Sequence, residues 1–285
     1  MSGHYRFRRS FGNVNSRFRG ATPKHFPLFT GLLDDFGGAA AAYSLRALSA
    51  NWVAGDVVEV RRSSDSTSQD FTASQITNGE LETFCGVGDG FVSIWYDQSG
   101  NANNATQGTT TAQPKIVSAG ALVVGGLDFD GVDDTLNTSL IPPSTVTMIG
   151  VSTWDIEDAT QMIVGARDST SLRNYIAQNS SGKITIAASL SFVGTVDVVA
   201  STDYLSFGVI NGTDLDMSVN GVNEAGTGTA PVNTTHGYNI GSLNDAGTAG
   251  SFMNGRIAEV IVYASDQSAN RVAIETNINA AYTIF

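Results

Sequence analysis

The chain has 285 residues, of which 41% are hydrophobic, and this is enough to bury a sizeable core within one β-rich domain. Its single cysteine, Cys85, excludes an internal disulfide and a cysteine-based metal cluster, and its apolar neighbours predict a buried side chain. The sequence contains neither an apolar run of about 18 residues nor a signal-peptide pattern, so membrane insertion and classical secretion are not expected.

Charge divides the chain into two parts. Residues 1–33 contain six basic residues and no Asp or Glu. Residues 34–285 contain all 27 acidic residues and carry a net charge of −18. We therefore predict two regions, a basic aromatic N-terminal arm at 1–33 and an acidic domain at 34–285, with no further domain boundary inside the second.

The arm repeats Arg-Phe-Arg at 6–8 and 17–19 but shows no helical or strand period. Its aromatic content favours an arm that becomes ordered on a protein partner over a disordered basic tail or a cleaved targeting peptide. A nucleic-acid partner is disfavoured because a duplex would repel the acidic domain. The predicted partner-binding residues are Arg6, Phe7, Arg8, Arg9, Arg17, Phe18 and Arg19.

The first part of the acidic domain mixes helix and strand patterns. "GGAAAAYSLRAL" at 37–48 predicts a helix, because Ala and Leu favour that state. "DVVEVRR" at 56–62 reads as a strand, and "NGELETFCG" at 78–86 predicts a short helix before the strand "FVSIWYD" at 91–97. Asp130-Gly131 predicts a tight turn.

The second half of the chain is dominated by short alternating or β-branched segments separated by Gly, Asn, Asp and Ser. Residues 204–209 and 215–219 alternate apolar and polar side chains around Asn211-Gly212, which predicts a hairpin with one buried face. A late helix is expected after Ser265-Asp266, with Ile274 and Ile278 on its apolar face. This pattern predicts an all-β fold: a two-sheet antiparallel jelly-roll sandwich with an extended N-terminal arm and a short C-terminal helix.

Five blocks, in the same order, resemble the first part of the catalytic domain of fungal α-L-arabinofuranosidase B. They are "AYSLRAL" at 42–48, "VRRSSD" at 60–65, "WYDQSG" at 95–100, "NATQ" at 104–107 and "QPKIV" at 113–117. "LDFDGVDDTL" at 127–136 and "GRIAEVIVYA" at 255–264 are similar to strands of laminin-G-like and concanavalin A-like jelly rolls. The resemblance implies the same two-sheet fold that the strand pattern predicts.

The Gly- and Ser-rich second half and the terminal "IETNINAAYTIF" are similar to jelly-roll domains of bacteriophage structural proteins. That resemblance implies a non-enzymatic virion protein that forms homo-oligomers on the particle. The arm would bind a capsid or tail protein, and the acidic jelly roll would be displayed as a capsid or tail decoration that binds host surface glycans or stabilises the particle. The alternatives are a glycoside hydrolase of arabinofuranosidase type and a stand-alone carbohydrate-binding lectin.

The stretch "WYDQSGNANNATQ" at 95–107 has two interpretations. Trp95, Tyr96, Asp97 and Gln98 are either framework residues that anchor the core and bond to loop backbone, or members of a glycan-binding site. The hydrolase resemblance covers about residues 41–117, whereas the catalytic Glu and Asp of that family lie in its later half. No catalytic residue is therefore assigned.

The segment 128–134 concentrates four aspartates, Asp128, Asp130, Asp133 and Asp134. Calcium is an alternative here because it prefers oxygen ligands, but the spacing does not match the twelve-residue calcium loop. The three histidines, His4, His25 and His236, are too scattered for a zinc site or a catalytic triad. We therefore expect no cofactor and no metal, with calcium as the open alternative.

Overall fold

The structure is a computed structural model that describes residues 29–227 and 234–285. Among the described residues, the helices are α1 (Leu32–Asp35), α2 (Ala73–Thr77), α3 (Glu80–Cys85) and α4 (Arg271–Tyr282), and short 3₁₀ turns lie at Ala50–Trp52, Thr110–Ala112 and Ser268–Asn270. Within these two ranges no helix has the length and apolar character needed to cross a bilayer.

Strands are the commonest regular element of the described chain. They are β1 (Ala39–Ser44), β2 (Asp56–Arg62), β3 (Ser68–Thr72), β4 (Gly90–Trp95), β5 (Ala105–Thr106), β6 (Lys115–Ser118), β7 (Ala121–Leu122), β8 (Leu127–Asp130), β9 (Leu136–Asn137), β10 (Thr145–Trp154), β11 (Gln161–Ser169), β12 (Leu172–Gln178), β13 (Lys183–Ala187), β14 (Ser191–Asp197), β15 (Asp203–Asn211), β16 (Asp214–Val219), β17 (Val222–Thr227), β18 (Asn239–Ile240), β19 (Leu243–Asp245), β20 (Thr248–Gly250) and β21 (Asn254–Tyr263).

The strands form two layers. In the first layer, β21 pairs on one edge with β1 and β8, and on the other edge with β10, which continues through β15 and β16 to β17. The second layer runs from β3 through β2 and β4 to β5, β9 and β18, and then through β11, β12 and β13 to β14. These pairings are antiparallel, whereas β11 and β19 run parallel.

The main core lies between the two layers, and a helical layer covers the outer face of the first. Val146 and Met148 of β10 face the core between the sheets, whereas Ile149 of the same strand packs with Ile274 and Ile278 of α4. This alternation places apolar residues on both faces of β10, as expected for a strand with neighbours on both sides. The predicted two-sheet sandwich with a C-terminal helix is confirmed.

The predicted pairing within 204–219 is confirmed, whereas the expectation of a single buried face is wrong, because residues 204–210 of β15 are buried on one face in the core between the sheets and on the other against α4. β15 and β16 pair from Ser206 opposite Val219 to Asn211 opposite Asp214. Asn220 and Gly221, at φ 49 and 78, supply the left-handed backbone of the turn that leads into β17. The alternation of side chains and the turn chemistry therefore specify the same local structure.

The predicted helix at 37–48 is wrong, because residues 39–44 form the strand β1 against β21. Ala41 and Tyr43 face the core between the sheets, and Ala42 faces the α4 side. Small side chains suit a strand pressed between two layers, so burial overrides the helix propensity of Ala.

The late helix begins later than predicted. Asp266 accepts a hydrogen bond from the backbone N–H of Ser268 at 2.8 Å, in the turn before α4, and α4 itself starts at Arg271. At the other end of the chain, Leu32 of α1 is fully buried in the layer with α4. It lies just before the predicted boundary between residues 33 and 34, which stays a prediction.

Candidate functional site

The segment that follows β4 is occupied by internal contacts. Trp95 is fully buried, with its ring centroid 5.9 Å from that of Tyr43. Its indole Nε1 has no hydrogen-bond partner among the described residues. The hydroxyl of Tyr96 donates to Asp70 Oδ1 at 2.7 Å, which ties the segment to β3. Burial keeps the unpaired Trp95 Nε1 away from solvent, and the Tyr96 hydroxyl is already bonded to Asp70.

Asp97 and Gln98 hold neighbouring backbone. Asp97, 1% exposed, accepts the backbone N–H groups of Ala42, Ser99 and Asn103 at 2.9, 2.9 and 3.0 Å and the Ser99 hydroxyl at 2.8 Å. Gln98 accepts from Leu48 N at 2.8 Å and donates to the carbonyls of Ser44 and Arg46. These contacts favour the framework interpretation of residues 95–98, which remains a prediction.

A cavity of about 260 Å³ does lie beside this segment. Ser99 and Gly100 form one side of it, and Asn51 and Trp52 form the other. We call it the Trp52 cavity. Gln98 of the segment also lines this cavity.

A larger cavity lies where β4, β6 and β8 meet. It has a volume of about 410 Å³, within the range of small-molecule sites. We call it the acidic pocket. Its lining consists of Phe91, Thr110, Thr111, Gln113, Lys115, Asp128, Asp130 and Asp134.

Strand β8 and the turn that follows it supply the carboxyl groups. Asp128 and Asp130 lie two residues apart and therefore share one face of β8, while Phe129 on the opposite face is buried in the core. Asp130 Oδ1 accepts the N–H groups of Val132 and Asp133 at 2.8 and 3.3 Å, and Asp134 Oδ2 accepts Asp130 N at 3.0 Å. The turn predicted at Asp130-Gly131 thus brings the acidic side chains together.

The opposite wall is braced by Arg61 of β2. Its guanidinium carbon lies 4.9 Å from the Phe91 ring centroid, and Nε donates to Gln113 Oε1 at 2.8 Å. The Lys115 ammonium lies 5.7 Å from the same ring and 3.2 Å from Asp89. Gln113 also donates to the Gln107 carbonyl at 2.8 Å. These contacts fix the pocket wall before any ligand arrives.

Burial and crowding perturb the acidic side of the pocket. Burial, followed by the negative charge of Asp130, raises the pKa of Asp134 to about 7. Burial is also the largest cause that raises the pKa of Asp128. Titratable groups with raised pKa values beside a cavity are characteristic of functional sites. The pocket therefore combines a carboxyl that is half protonated near neutral pH, other acidic groups and an apolar wall.

The calcium alternative falls in this region. Asp130, Asp133 and Asp134 each have a carboxylate oxygen within 4.8 Å of the others. Calcium takes six to eight oxygen ligands. Asp130 Oδ1 and Asp134 Oδ2 already accept backbone N–H groups, and three carboxylates leave much of such a shell to be filled. Calcium therefore stays the open alternative to the expectation of no metal.

A smaller cavity of about 180 Å³ lies on the outer face of β12–β14. Tyr175 and Thr185 line it, and the Tyr175 hydroxyl lies 3.2 Å from Ser191 Oγ. We call it the Tyr175 cavity. The described residues that line it include no Asp or Glu, so it offers hydroxyl and amide contacts only.

Comparison with protein families gives a partial match. The model of the catalytic domain of α-L-arabinofuranosidase B matches residues 36–123, about a third of the chain. No curated protein matches. The match begins just after α1 and ends just after β7, so it includes the pocket residues Phe91, Gln113 and Lys115 and leaves out Asp128, Asp130 and Asp134.

Solved structures match over most of the chain. A mutant GH54 α-L-arabinofuranosidase soaked with 4-nitrophenyl α-L-arabinofuranoside has 17% sequence identity and a TM-score of 0.66, and the match covers 85% of this chain and 63% of that one. A GH54 α-L-arabinofuranosidase soaked with a cyclic sulfate inhibitor has 17% identity and a TM-score of 0.63, and the match covers 85% of this chain and 63% of that one. An arabinofuranosidase complexed with arabinofuranosyl-α-1,2-xylobiose has 17% identity and a TM-score of 0.56, with 85% of this chain and 62% of that one covered.

The chain therefore spans less than two thirds of these proteins, and at this identity the likeness concerns the fold. The arabinofuranosidase part of the sequence resemblance is supported. None of these matches is a bacteriophage protein, so the bacteriophage part is not supported by them.

Sequence reasoning identified the aspartates of the acidic pocket but not its other members. No local sequence pattern marks the other members as a site. Long-range pairing of β6 with β4 and β8 brings Phe91 and Lys115 to the aspartates, and Thr110 and Gln113 come from the 3₁₀ turn and loop before β6. The predicted partner-binding residues of the arm lie outside the described residues; they are Arg6, Phe7, Arg8, Arg9, Arg17, Phe18 and Arg19.

Proposed function

We propose that this chain is a carbohydrate-binding jelly roll and that the acidic pocket takes a neutral furanoside unit of a glycan. The observation that carries the proposal is the pocket itself, which sets carboxyl groups and threonine hydroxyls around Phe91 in about 410 Å³. The likeness of the fold to arabinofuranosidases supports the choice of ligand class.

The chemistry of the lining fits hydroxyl-rich ligands. Carboxylate oxygens of Asp128 and Asp130 accept hydrogen bonds from sugar hydroxyls, and the Lys115 ammonium donates hydrogen bonds to sugar hydroxyl oxygens. Phe91 covers the apolar C–H face of the ring. A neutral ligand avoids repulsion from the carboxylates, and bonds to charged groups contribute about 1.5–3 kcal/mol each.

Titration of the full chain with arabinofuranosyl oligosaccharides by calorimetry tests this function. We expect saturable binding that Phe91→Ala and Asp128→Ala each weaken. Trp52→Ala and Tyr175→Ala are the matched controls in the two other cavities and leave binding unchanged. Binding that is lost in Trp52→Ala or Tyr175→Ala and retained in the acidic-pocket variants would place the site elsewhere. Absence of binding to any arabinofuranosyl ligand would refute the ligand class.

Hydrolysis of the bound glycoside is a second candidate function, favoured by the pKa of Asp134. A carboxyl with a pKa of about 7 can act as a general acid that protonates a leaving oxygen, while a second carboxyl serves as base or nucleophile. Release of nitrophenol from 4-nitrophenyl α-L-arabinofuranoside, abolished in Asp134→Asn, would establish hydrolysis. Binding without turnover would leave the chain a lectin.

A separate proposal concerns where the chain acts. The basic arm beside an acidic domain supports attachment to a larger assembly, with the arm on a capsid or tail protein of a bacteriophage and homo-oligomers of the domain displayed on the virion. Deletion of residues 1–27 is expected to prevent incorporation into particles while glycan binding survives. Normal incorporation of the truncated chain would contradict this placement.

A further inference from the structure

A row of polar side chains continues from the acidic pocket across the outer face of the first layer. It starts at Lys115 and Asp128, which line the pocket and lie opposite each other in β6 and β8. Asp128 in turn lies opposite Arg256 of β21. Arg256 lies opposite Thr153 of β10, which lies opposite Asp203 of β15. We call these five residues the polar row. Four strand spacings of about 4.8 Å give it a length of about 19 Å, longer than one sugar unit.

The side chains of the polar row point away from the core between the two layers. Alternate residues of a strand face opposite sides, and the next residue in each strand belongs to that core. These core residues are Ile116, Phe129, Ile257, Trp154 and Tyr204. Helix α4 covers another part of the same outer face, and the hydroxyl of its last residue, Tyr282, donates to the Ala258 carbonyl at 3.4 Å. Arg256 lies two residues further along β21, so the polar row crosses the sheet beyond the end of α4.

Arg256 is held in one position by Asp155. Its Nη2 lies 3.0 Å from Asp155 Oδ1, and its Nη1 donates to Asp155 Oδ2 at 3.2 Å. The two side chains stay 22% and 36% exposed. A guanidinium has five N–H donors and this pair uses two of them, so donors remain for a ligand. Thr153, by contrast, is 3% exposed, and its hydroxyl donates to Asp203. The accessible part of the row next to the pocket is therefore Arg256 with Asp155.

The row alternates donors and acceptors, with Asp128 between Lys115 and Arg256. Residues opposite each other in an antiparallel pair have Cβ atoms about 5 Å apart, so the Arg256 side chain starts beside the pocket wall at Asp128. A neutral glycan fits this alternation because each sugar hydroxyl both donates and accepts. We propose that Arg256 and Asp155 form a second sugar subsite, which binds the unit linked to the one in the acidic pocket. This inference rests on the proposed function and narrows the ligand from a single furanoside to an arabinofuranosyl oligosaccharide.

Ligand length tests the second subsite in the unmodified chain. Calorimetry compares methyl α-L-arabinofuranoside, a single unit, with arabinotriose. We expect arabinotriose to bind about tenfold more tightly, because one further hydrogen bond to a charged group contributes about that much. The side-chain Nε–H resonance of Arg256 in the ¹⁵N-labelled chain should shift with arabinotriose only. Equal affinities, or an Arg256 resonance that moves with neither ligand, would overturn the second subsite and leave the acidic pocket as a single-unit site. Binding of neither ligand would refute the proposed function and this inference with it.

Variants then assign the preference for the longer ligand to Arg256. Arg256→Ala is expected to lower the affinity for arabinotriose to that for methyl α-L-arabinofuranoside and to leave the latter unchanged, whereas Phe91→Ala weakens both. Arg62→Ala is the matched control, because Arg62 Nε and Nη2 form an equivalent pair with Asp65 at 2.8 and 2.7 Å. It should change neither affinity. An Arg256→Ala variant that still prefers arabinotriose, or an Arg62→Ala variant that loses this preference, would overturn the proposal.

Discussion

Two segments of the chain, residues 95–104 and 127–136, both combine Asp with other polar residues in sequence but differ in structure. Asp97 in the first accepts four hydrogen bonds from one loop and one neighbouring strand, and its side chain is buried. Asp134 in the second accepts one backbone N–H and shares a cavity with other acidic groups. Polar composition alone therefore does not mark a site; what matters is whether the protein itself satisfies the polar atoms.

Replacement of Asp97 is expected to give the largest change. Asp97→Ala removes a buried acceptor and leaves three backbone N–H groups without a partner, so we expect a loss of about 3–5 kcal/mol in the free energy of unfolding. Urea denaturation measures it. The exposed Asp35→Ala serves as control and should change stability by less than about 0.5 kcal/mol. A loss at Asp97 no larger than the control would end the framework interpretation.

Gln98 provides a second, smaller test of the same segment. Gln98→Ala removes one acceptor and two donor contacts that hold residues 44–48. We expect a loss of about 2–3 kcal/mol, because each buried bond contributes about 1 kcal/mol net and the unpaired backbone groups add a penalty. Gln69→Ala, at an exposed position of β3, is the matched control. Equal stability of the two variants would show that the Gln98 contacts do not hold the loop.

Replacement of Asp134 should raise the free energy of unfolding at alkaline pH, whereas replacement of Asp97 or Gln98 lowers it. Its pKa is raised from about 3.9 unfolded to about 7 folded, so the folded state binds the proton more tightly. The stabilisation from that proton is complete below about pH 4 and is lost as the pH rises through about 7. Asp134→Asn should remove this part of the pH dependence and be roughly 1–2 kcal/mol more stable than the parent at pH 8. Parallel stability profiles of the two proteins across pH 4–8 would contradict the raised pKa.

Replacement of Phe91 is expected to give the smallest change in free energy, and the change is in ligand binding. Phe91→Ala should weaken the affinity for an arabinofuranosyl oligosaccharide by about tenfold, equal to about 1.4 kcal/mol, and leave the fold intact. Calorimetry at pH 6 and pH 8 measures it. An unchanged affinity would remove the acidic pocket from the binding account.

Local sequence patterns predict part of this structure well. The hairpin at 203–219 could be predicted because alternating side chains and Asn-Gly turns specify the same pairing. The strand β1 could not, because its alanines carry helix propensity and only the layers on either side of it favour an extended chain. Burial of Cys85 followed from its apolar neighbours and is confirmed.

The acidic pocket could be predicted only in part. The aspartates are adjacent in sequence, so their clustering is visible there. Phe91 and Asp128 are far apart in the chain and meet because β6 pairs with β4 on one side and with β8 on the other. Long-range strand pairing leaves no local signal, and neither does the raised pKa of Asp134, which depends on burial.

The most direct test of the central claim is an NMR titration of the ¹⁵N-labelled chain with an arabinofuranosyl oligosaccharide. The account predicts saturable shifts of the backbone amides of Thr110, Thr111, Asp130 and Asp134, with those of Asp97 to Asn104 unchanged. Shifts confined to residues 97–104, or to the amides around Tyr175, would contradict it and assign glycan recognition to another part of the jelly roll.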